Sequence, residues 1–183
     1  MKTSQKGIDL IKKYEGCRLR AYKCPAGIWT IGYGHTTGVR SGMVITKAQA
    51  EEFLKQDIEK YESHVQSYDA RYHWTQNEFD ALVSFAYNVG NIIGLTSYGT
   101  RSKEQILEKM GLYVKAKGTT LPGLIKRREE EQHLFICVDL LEKVAYDVID
   151  GKYGNGKERT AALKAKGYNP KEVQKIVNRI LKT

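Results

Sequence analysis

Residues 14–36 of the chain read YEGCRLRAYKCPAGIWTIGYGHT. A carboxylate, a thiol and a hydroxyl are spaced within this stretch as Glu15-x8-Cys24-x5-Thr30. The apolar residues that precede it follow a helical period and stop at Gly16, so the pattern predicts a short helix that ends at Glu15. A carboxyl group at a helix C-terminus faces the negative end of the helix dipole, which is a favourable setting for a proton donor.

A β-hairpin is predicted directly after this helix. Residues 19–22 and 28–33 are rich in aromatic and β-branched side chains, and they flank the turn signal Pro25-Ala26-Gly27. This arrangement places Cys24 at the turn and Thr30 in the returning strand. The sequence contains no Asp or Glu between residues 16 and 50. A second carboxylate for a catalytic site therefore cannot come from this hairpin.

Four separated blocks of the chain resemble the phage-type lysozymes of glycoside hydrolase family 24, and they occur in the family's order. The blocks read EGCRLRAY at 15–22, WTIGYGHT at 29–36, FDALVSFAYNVG at 79–90 and LPGLIKRR at 121–128. The resemblance runs from about residue 4 to 136. It implies a mainly helical α+β fold, a lysozyme-like domain with a small β-hairpin lobe. It also implies hydrolysis of the β-1,4 bond between N-acetylmuramic acid and N-acetylglucosamine in peptidoglycan, with no metal or organic cofactor.

The resemblance gives each member of the opening triplet a catalytic role. It makes Glu15 the general acid, and it assigns Cys24 and Thr30 to holding the attacking water in an inverting reaction. The family usually has aspartate at the middle position, and cysteine is its second choice. A free thiol with a pKa of about 8.5 is only about 3% thiolate at neutral pH, so an unperturbed cysteine is a poor general base. A small buried apolar residue is the alternative interpretation of Cys24.

The resemblance also extends the site beyond the triplet. It places Asn88 by the sugar cleft. The Gly-x-Gly pattern ahead of His35 lets the backbone approach substrate closely, which makes Gly34 and His35 candidate substrate-binding residues. For His35 a structural ion pair with Asp57 is the alternative that we favour over proton transfer. For Asn88 the alternative is a helix C-cap ahead of a glycine.

An arginine of a later helix is expected to support the catalytic glutamate. That helix is predicted to begin near Pro122, since proline suits the first turn of a helix. The resemblance implies that an arginine of this helix pairs with Glu15. We favour Arg127 for this pairing, and Arg128 is then expected on the solvated side.

The middle of the chain predicts three more helices. Capping-box patterns occur at Thr46-x-x-Gln49, Thr75-x-x-Glu78 and Ser102-x-x-Gln105, each ahead of an apolar periodic run. The second run, residues 74–89, is apolar on most faces and is predicted to be the central buried helix.

Residues 144–183 resemble a short cell-wall-binding repeat that some phage lysins carry at the C-terminus. The apolar residues predict three short helices with one small core. The expected division is a catalytic domain over 1–136, a helical connector over 137–143 and a wall-binding three-helix module over 144–183. Wall contacts are expected from Tyr153, Asn155, Arg159 and Gln174. The alternatives are a left-handed turn residue for Asn155 and a solvated helix residue for Arg159.

The net positive charge of the chain is compatible with several kinds of binding partner. The chain has 30 Lys or Arg and 21 Asp or Glu, a net charge of +9. Residues 144–183 hold nine basic and four acidic residues, a net of +5, and the other 143 residues hold 21 and 17, a net of +4. Such a surface suits either nucleic acid or an anionic bacterial wall. The sequence motifs favour peptidoglycan glycan strands and muropeptides as partners, with no nucleic acid and a monomeric chain.

The cysteine pattern and the N-terminal sequence limit the classes of protein to which the chain can belong. Three cysteines without a CxxC pair indicate neither a zinc site nor a disulfide framework. No signal peptide or membrane span is indicated, so synthesis in the host cytoplasm and later release to the wall are expected. The predicted protein is a peptidoglycan muramidase and endolysin. The competing class is a wall-binding protein that lost activity when aspartate became cysteine, and a nucleic-acid binder is the third.

Overall fold

The computed structural model describes residues 1–116, 118–136 and 140–181. The chain divides into two compact units, Met1–Ile136 and Cys137–Thr183. The helices of the first unit are α1 Gln5–Glu15, α2 Lys47–Gln66, α3 Asp69–Tyr72, α4 Gln76–Val89, α5 Ile93–Thr96, α6 Lys103–Met110 and α7 Pro122–Ile136. Its strands are β1 Arg18–Lys23, β2 Trp29–Gly32, β3 Lys115–Ala116 and β4 Thr119–Thr120.

Helix α4 lies at the centre of the first unit. Every residue from Asn77 to Ala86 is buried, and α1, α2 and α7 all pack against it. Its first turn is closed by a capping box, in which the Thr75 hydroxyl accepts from the Glu78 N–H and the Glu78 side chain accepts from the Thr75 N–H. The prediction of a central buried helix is confirmed. Helices α2 and α6 also begin with the predicted capping boxes.

Helix α1 is fixed to α4 through Asp80, whose side chain is fully buried. The backbone N–H of Ser4 donates to Asp80 Oδ1 at 2.8 Å, and the Ser4 hydroxyl donates to Asp80 Oδ2. Gly7 lies against the same residue, because a Cβ atom at position 7 would come within 2.9 Å of Asp80 Cβ. This close contact holds the helix that carries Glu15 at its C-terminus.

The predicted hairpin is present after α1. Strand β1 pairs antiparallel with β2, with Tyr22 opposite Thr30. The turn is closed by hydrogen bonds from Cys24 N–H to Ile28 O at 2.9 Å and from Gly27 N–H to Cys24 O at 2.8 Å. On its other side β1 bonds to residues 43–45, where Ala21 N–H donates to Met43 O. The ribbon β3–β4 was not predicted, because two residues per strand are too few for a periodic pattern.

The second unit is a small helical module. Its helices are α8 Leu140–Ile149, α9 Gly156–Ala165 and α10 Pro170–Ile180. They share a core made of Val144, Ala145, Val148, Tyr153, Leu163, Val173 and Val177. The predicted three-helix arrangement is confirmed. Residues 140–143 of the expected connector belong to α8, and residues 137–139 lie outside the described residues. None of the described helices is both long enough and apolar enough to cross a membrane.

Candidate active site

Glu15 is the last residue of α1, and Gly16 ends the helix with a φ of 65°. The Glu15 side chain is 23% exposed, and its Oε1 lies 2.7 Å from Nη1 of Arg127 on α7. The two residues are 112 positions apart in the chain. The pairing of Arg127 with Glu15 that the resemblance implied is therefore present in the structure.

Arg127 is buried and held at every nitrogen of its guanidinium group. Its Nε donates to Glu131 Oε1 at 3.0 Å, and its Nη2 donates to the Ser84 carbonyl oxygen at 3.1 Å. Its Nη1 is the donor to Glu15. Because α4 and α7 both fix the guanidinium, its charge has a defined position relative to the Glu15 carboxyl group.

Glu131 is a fully buried carboxylate that joins these contacts. Its Oε1 accepts from the Ser84 hydroxyl at 2.7 Å as well as from Arg127. Burial raises the pKa of the Glu131 carboxyl group, and the guanidinium groups of Arg128 and Arg127 act in the opposite direction. Two arginines and two glutamates meet here, so the formal charges of the cluster sum to zero. A buried charge is tolerated only with such compensation.

Arg128 corrects one expectation, since it is only 1% exposed rather than solvated. Its Nη2 donates to Asn88 Oδ1 at 2.9 Å, and its guanidinium carbon lies 4.6 Å from the centre of the Phe85 ring. Its Nε is 3.0 Å from Glu131 Oε2, but the two are not aligned as a hydrogen bond. A buried carboxylate attracts both neighbouring arginines, which is why Arg128 turns inward.

A cavity of about 170 Å³ opens beside Glu15. It is lined by Glu15, Gly34, Thr36, Thr37, Asp57, Lys60, Tyr61 and Tyr87. Gly34 has a φ of 100°, and a Cβ atom there would lie 3.9 Å from Glu15 Oε2 and 3.8 Å from the Tyr87 hydroxyl. Tyr87 donates to the Tyr33 carbonyl oxygen at 2.8 Å, and burial raises the pKa of its phenol. Gly34 thus lines the cavity beside Glu15, where the absence of a side chain leaves space next to the carboxyl group. Its contact with substrate stays a prediction.

His35 is buried, and it is not among the described residues that line the cavity. Its Nδ1 lies 2.9 Å from Asp57 Oδ2 and its Nε2 lies 2.9 Å from the Thr37 carbonyl oxygen. The ring stacks on Phe53 with centroids 4.3 Å apart. The expected contact with Asp57 is present. Because both ring nitrogens have protein partners, His35 positions residues of the cleft and leaves no free nitrogen for a sugar hydroxyl.

Asn88 is exposed near the end of α4, and Gly90 rather than Asn88 is the C-cap residue. Its side-chain oxygen is used by Arg128. Asn88 is not among the described residues that line the cavity around Glu15. Its placement at the substrate stays a prediction.

Cys24 and Thr30 lie together on the hairpin. Cys24 is a half-buried free thiol, and Thr30 is buried with its hydroxyl donating to the Ile28 carbonyl oxygen at 3.1 Å. The backbone N–H groups of Ile28 and Ala26 lower the pKa of the Cys24 thiol, burial opposes them, and the Thr30 hydroxyl adds to the lowering. The thiolate fraction at neutral pH is therefore larger than for an unperturbed cysteine. Neither residue is among the described residues that line the cavity.

Comparison with known proteins identifies this unit. The family model for phage lysozyme matches residues 12–131. The chain belongs to the phage lysozyme family. It is accordingly a glycoside hydrolase of the lysozyme type, and we refer to Met1–Ile136 as the lysozyme unit. The CW_7 repeat model matches residues 142–181, which confirms the predicted C-terminal repeat, and we refer to Cys137–Thr183 as the repeat unit.

Named relatives of the chain include two phage endolysins. The endolysin of Acyrthosiphon pisum secondary endosymbiont phage 1 is 43% identical over 145 residues, which is 74% of this chain and 98% of that protein. The endolysin of Lactococcus phage c2 is 44% identical over 138 residues, 74% of this chain but 60% of that protein. The aligned region therefore does not cover the whole of the lactococcal protein.

Solved structures agree with the family assignment. The muramidase domain of SpmX from Asticaccaulis excentricus is 33% identical, with a TM-score of 0.63 over 75% of this chain and 99% of that one. The active form of P1 phage endolysin is 30% identical, with a TM-score of 0.64 over 74% of this chain and 85% of that one. The lysozyme fold expected from the sequence is confirmed.

The repeat unit brings three of its four predicted wall-contact residues together. Arg159 donates to Asn155 Oδ1 at 3.0 Å and to Gln174 Oε1 at 3.2 Å. Asn155 precedes α9 with a φ of −126°, so the left-handed turn alternative is wrong. Tyr153 is only 8% exposed and belongs to the core of the module, with Lys166 Nζ 5.0 Å from its ring centre. The wall-binding roles of all four residues stay predictions.

Sequence reasoning missed several residues of the lysozyme unit. Glu131 and Ser84 fix Arg127 but were not predicted, although the i, i+4 spacing of Arg127 and Glu131 was a readable signal. Lys60 and Tyr61 line the cleft from α2. No motif distinguishes them from other surface residues of that helix, so only the three-dimensional structure identifies them.

Proposed function

We propose that the chain is an endolysin that hydrolyses the β-1,4 bond between N-acetylmuramic acid and N-acetylglucosamine in bacterial peptidoglycan. The observation that carries this proposal is a half-buried Glu15 carboxyl group, paired with a fixed Arg127 and facing a cleft. The endolysin relatives and the muramidase domain of SpmX support the same reaction class. Peptidoglycan glycan strands and muropeptides are the proposed binding partners, and the glycan strand is the proposed substrate.

Glu15 is the proposed general acid. Its Oε1 is used by Arg127, and its Oε2 faces the cleft beside Gly34. In this arrangement Arg127 orients the carboxyl group, and a proton on Oε2 is free to reach the glycosidic oxygen. Protonation of the leaving oxygen accompanies cleavage of its bond to the anomeric carbon of the muramic acid residue.

Cys24 and Thr30 are the proposed holders of the attacking water. The water oxygen forms the new bond to the anomeric carbon from the face opposite the leaving group, so the configuration inverts. The proton that the water loses passes to the thiolate form of Cys24, which the backbone N–H groups of Ile28 and Ala26 favour. The Thr30 hydroxyl, which lies beside the thiol, gives the water a second hydrogen-bonding partner.

The repeat unit is the proposed wall-binding module. Arg159, Asn155 and Gln174 offer connected polar groups that suit a sugar or peptide fragment of the wall. The chain matches the CW_7 repeat over residues 142–181. A single weak module that keeps the enzyme near its polymeric substrate raises the effective concentration of scissile bonds.

One observation favours a second candidate, a wall-binding protein with little or no activity. Cys24 stands where the family usually has aspartate, and the unmodified thiol is a weak base. The test is turbidity loss of a suspension of purified cell walls. We expect the wild-type chain to clear it and Glu15→Gln to be about 1,000-fold slower, the middle of the range for loss of a general acid. Equal rates for both would exclude Glu15 as the acid, and no clearing by either would favour the binding protein.

A further inference from the structure

The hairpin lobe, residues 16–46, carries only positive charges. It contains Arg18, Arg20, Lys23 and Arg40 but no Asp or Glu, and all four cations are exposed. The Arg18 guanidinium lies 4.4 Å from the centre of the Tyr22 ring, and Lys23 Nζ lies 5.5 Å from the Trp29 ring. These two side chains therefore lie along the surface of the lobe, supported by aromatic rings.

Several cations elsewhere in the lysozyme unit have carboxylate partners, in contrast to those of the lobe. Lys12 pairs with Glu51 at 2.8 Å and Lys103 pairs with Glu78 at 2.7 Å. Within the part of the chain that the structure describes, none of the four lobe cations forms an ion pair. Their charge is not neutralised locally. At physiological ionic strength the screening length is about 8 Å, so neighbouring charges of a small lobe act together on a bound polyanion.

The lobe also forms one wall of the cleft. Gly34, Thr36 and Thr37 belong to the lobe and line the cavity beside Glu15. A polymer bound to the outer surface of the lobe would therefore be held next to the site where a glycan strand is cut.

We propose that the hairpin lobe binds the phosphodiester polymer that is covalently attached to peptidoglycan in many bacterial walls. This inference rests on the proposed function in that the chain acts on walls. Three of the four cations are arginines, whose forked guanidinium groups match phosphate oxygens. They are spread over an open surface, which suits a long polymer with one fixed negative charge per repeat. Stem-peptide carboxylates fit less well, because cross-linking and amidation remove many of them.

The test compares two charge-matched variants in a Glu15→Gln background, so that the wall is not digested. The lobe variant is Arg18→Gln/Arg20→Gln/Lys23→Gln/Arg40→Gln. The control variant is Lys6→Gln/Lys55→Gln/Lys115→Gln/Lys126→Gln, four exposed lysines of the same unit outside the lobe. Each removes four positive charges. Cosedimentation is measured at low and at high salt, with walls that keep the phosphodiester polymer and with the same walls after hydrofluoric acid has removed it.

We expect the lobe variant to bind intact walls about tenfold more weakly than the control at low salt, with a shallower salt dependence. On stripped walls the two should bind equally. An equal loss for both variants would overturn the proposal, because it would reflect net charge alone. A lobe-specific loss that persists on stripped walls would assign the surface to carboxylates, and a loss seen with DNA but not with walls would assign it to nucleic acid.

Thermal unfolding of both variants establishes that the lobe folds. If the fourfold lobe variant unfolds early, the double variant Arg20→Gln/Arg40→Gln is compared with Lys55→Gln/Lys126→Gln under the same conditions. Here too, equal binding of the two double variants to intact walls would contradict the proposal.

Hydrolysis by the unmodified chain is measured separately on soluble, polymer-free peptidoglycan fragments. A failure there would count against the proposed function and would leave the binding result unaffected.

Discussion

The carboxyl group of Glu15 keeps one oxygen against Arg127 and turns the other toward the cleft. A general acid needs both features, because the guanidinium fixes the geometry while the second oxygen remains free to carry the proton. Arg127 depends in turn on Glu131 and the Ser84 carbonyl oxygen. The chemistry at Glu15 therefore rests on groups that never touch substrate.

Glu131→Gln tests this dependence. The substitution leaves two buried guanidinium groups with one compensating carboxylate, so we expect a loss of about 3–5 kcal/mol in the free energy of unfolding. We also expect kcat to fall with little change in KM, since Arg127 Nε loses its charged acceptor and the guanidinium is held less firmly. Urea unfolding and steady-state kinetics at a temperature where the variant is folded measure the two effects.

Glu130→Gln is the matched control on the same helix. Glu130 pairs with Lys13 at the surface, where its side chain is 40% exposed. Its loss should cost less than about 1 kcal/mol and leave kcat unchanged. If the two variants behaved alike in both measurements, Glu131 would have no special part in holding Arg127.

Cys24 gives the second prediction at this scale. We expect Cys24→Asp to keep or raise activity, because a carboxylate accepts a proton from water at neutral pH. Cys24→Ala should lose about 100-fold in kcat, as is common when a general base is removed. Cys17→Ala, at the exposed thiol just ahead of β1, should leave the rate unchanged. Equal activity of the Asp and Ala variants would show that the thiol at position 24 takes no part.

Local signals explain which elements could be predicted from the sequence. The capping boxes at Thr46, Thr75 and Ser102 and the glycine after Glu15 are contained within a few residues, and each marks a helix end in the structure. Local signals do not show whether a charged side chain on a helix faces solvent or the core, because this depends on what other elements pack against it. The sequence therefore predicts Arg128 in solvent, whereas its contacts with Glu131 and Phe85 hold it in the core.

Gly7→Ala tests how α1 is fixed to α4. Alanine normally favours a helix by about 1 kcal/mol over glycine. At position 7, however, its Cβ would lie 2.6 Å from Thr3 Cγ2 and 2.9 Å from Asp80 Cβ. We expect this overlap to prevail and to lower the free energy of unfolding by about 1–3 kcal/mol. Chemical denaturation measures the difference.

Gly123→Ala is the control for helix propensity. Position 123 lies in the first turn of α7, and a Cβ atom there would have no neighbouring side chain within 4 Å. Alanine there should stabilise the protein by about 0.4–1 kcal/mol. Stabilisation by both substitutions would mean that α1 is not held closely against Asp80.

At the scale of the whole molecule, two units with separate hydrophobic cores are joined in one chain. The sequence predicted both, because each carries a family-specific set of motifs. The contact between Glu15 and Arg127 spans 112 residues and followed from the resemblance, since no periodic pattern links positions so far apart. The residues of the cleft that come from α2 had no such motif and were therefore missed.

Arg159→Gln tests the division of labour between the two units. Arg159 holds Asn155 and Gln174 in one polar group, so its loss should weaken retention on intact walls several-fold in the Glu15→Gln background. Lys157→Gln, an exposed neighbour with the same charge, should have little effect. Activity of the otherwise unmodified Arg159→Gln chain on soluble peptidoglycan fragments should equal that of the wild type. A parallel loss of that activity would argue against separate roles.

The identity of the bond that is cut tests the central claim most directly. Purified peptidoglycan is digested with the wild-type chain, the new reducing ends are reduced with borohydride, and the hydrolysed products are analysed for the two amino-sugar alcohols. The proposed reaction at Glu15 predicts that the new ends are muramic acid residues and that Glu15→Gln releases them about 1,000-fold more slowly. New glucosamine ends, or new amino groups from peptide cleavage without any reducing ends, would contradict it.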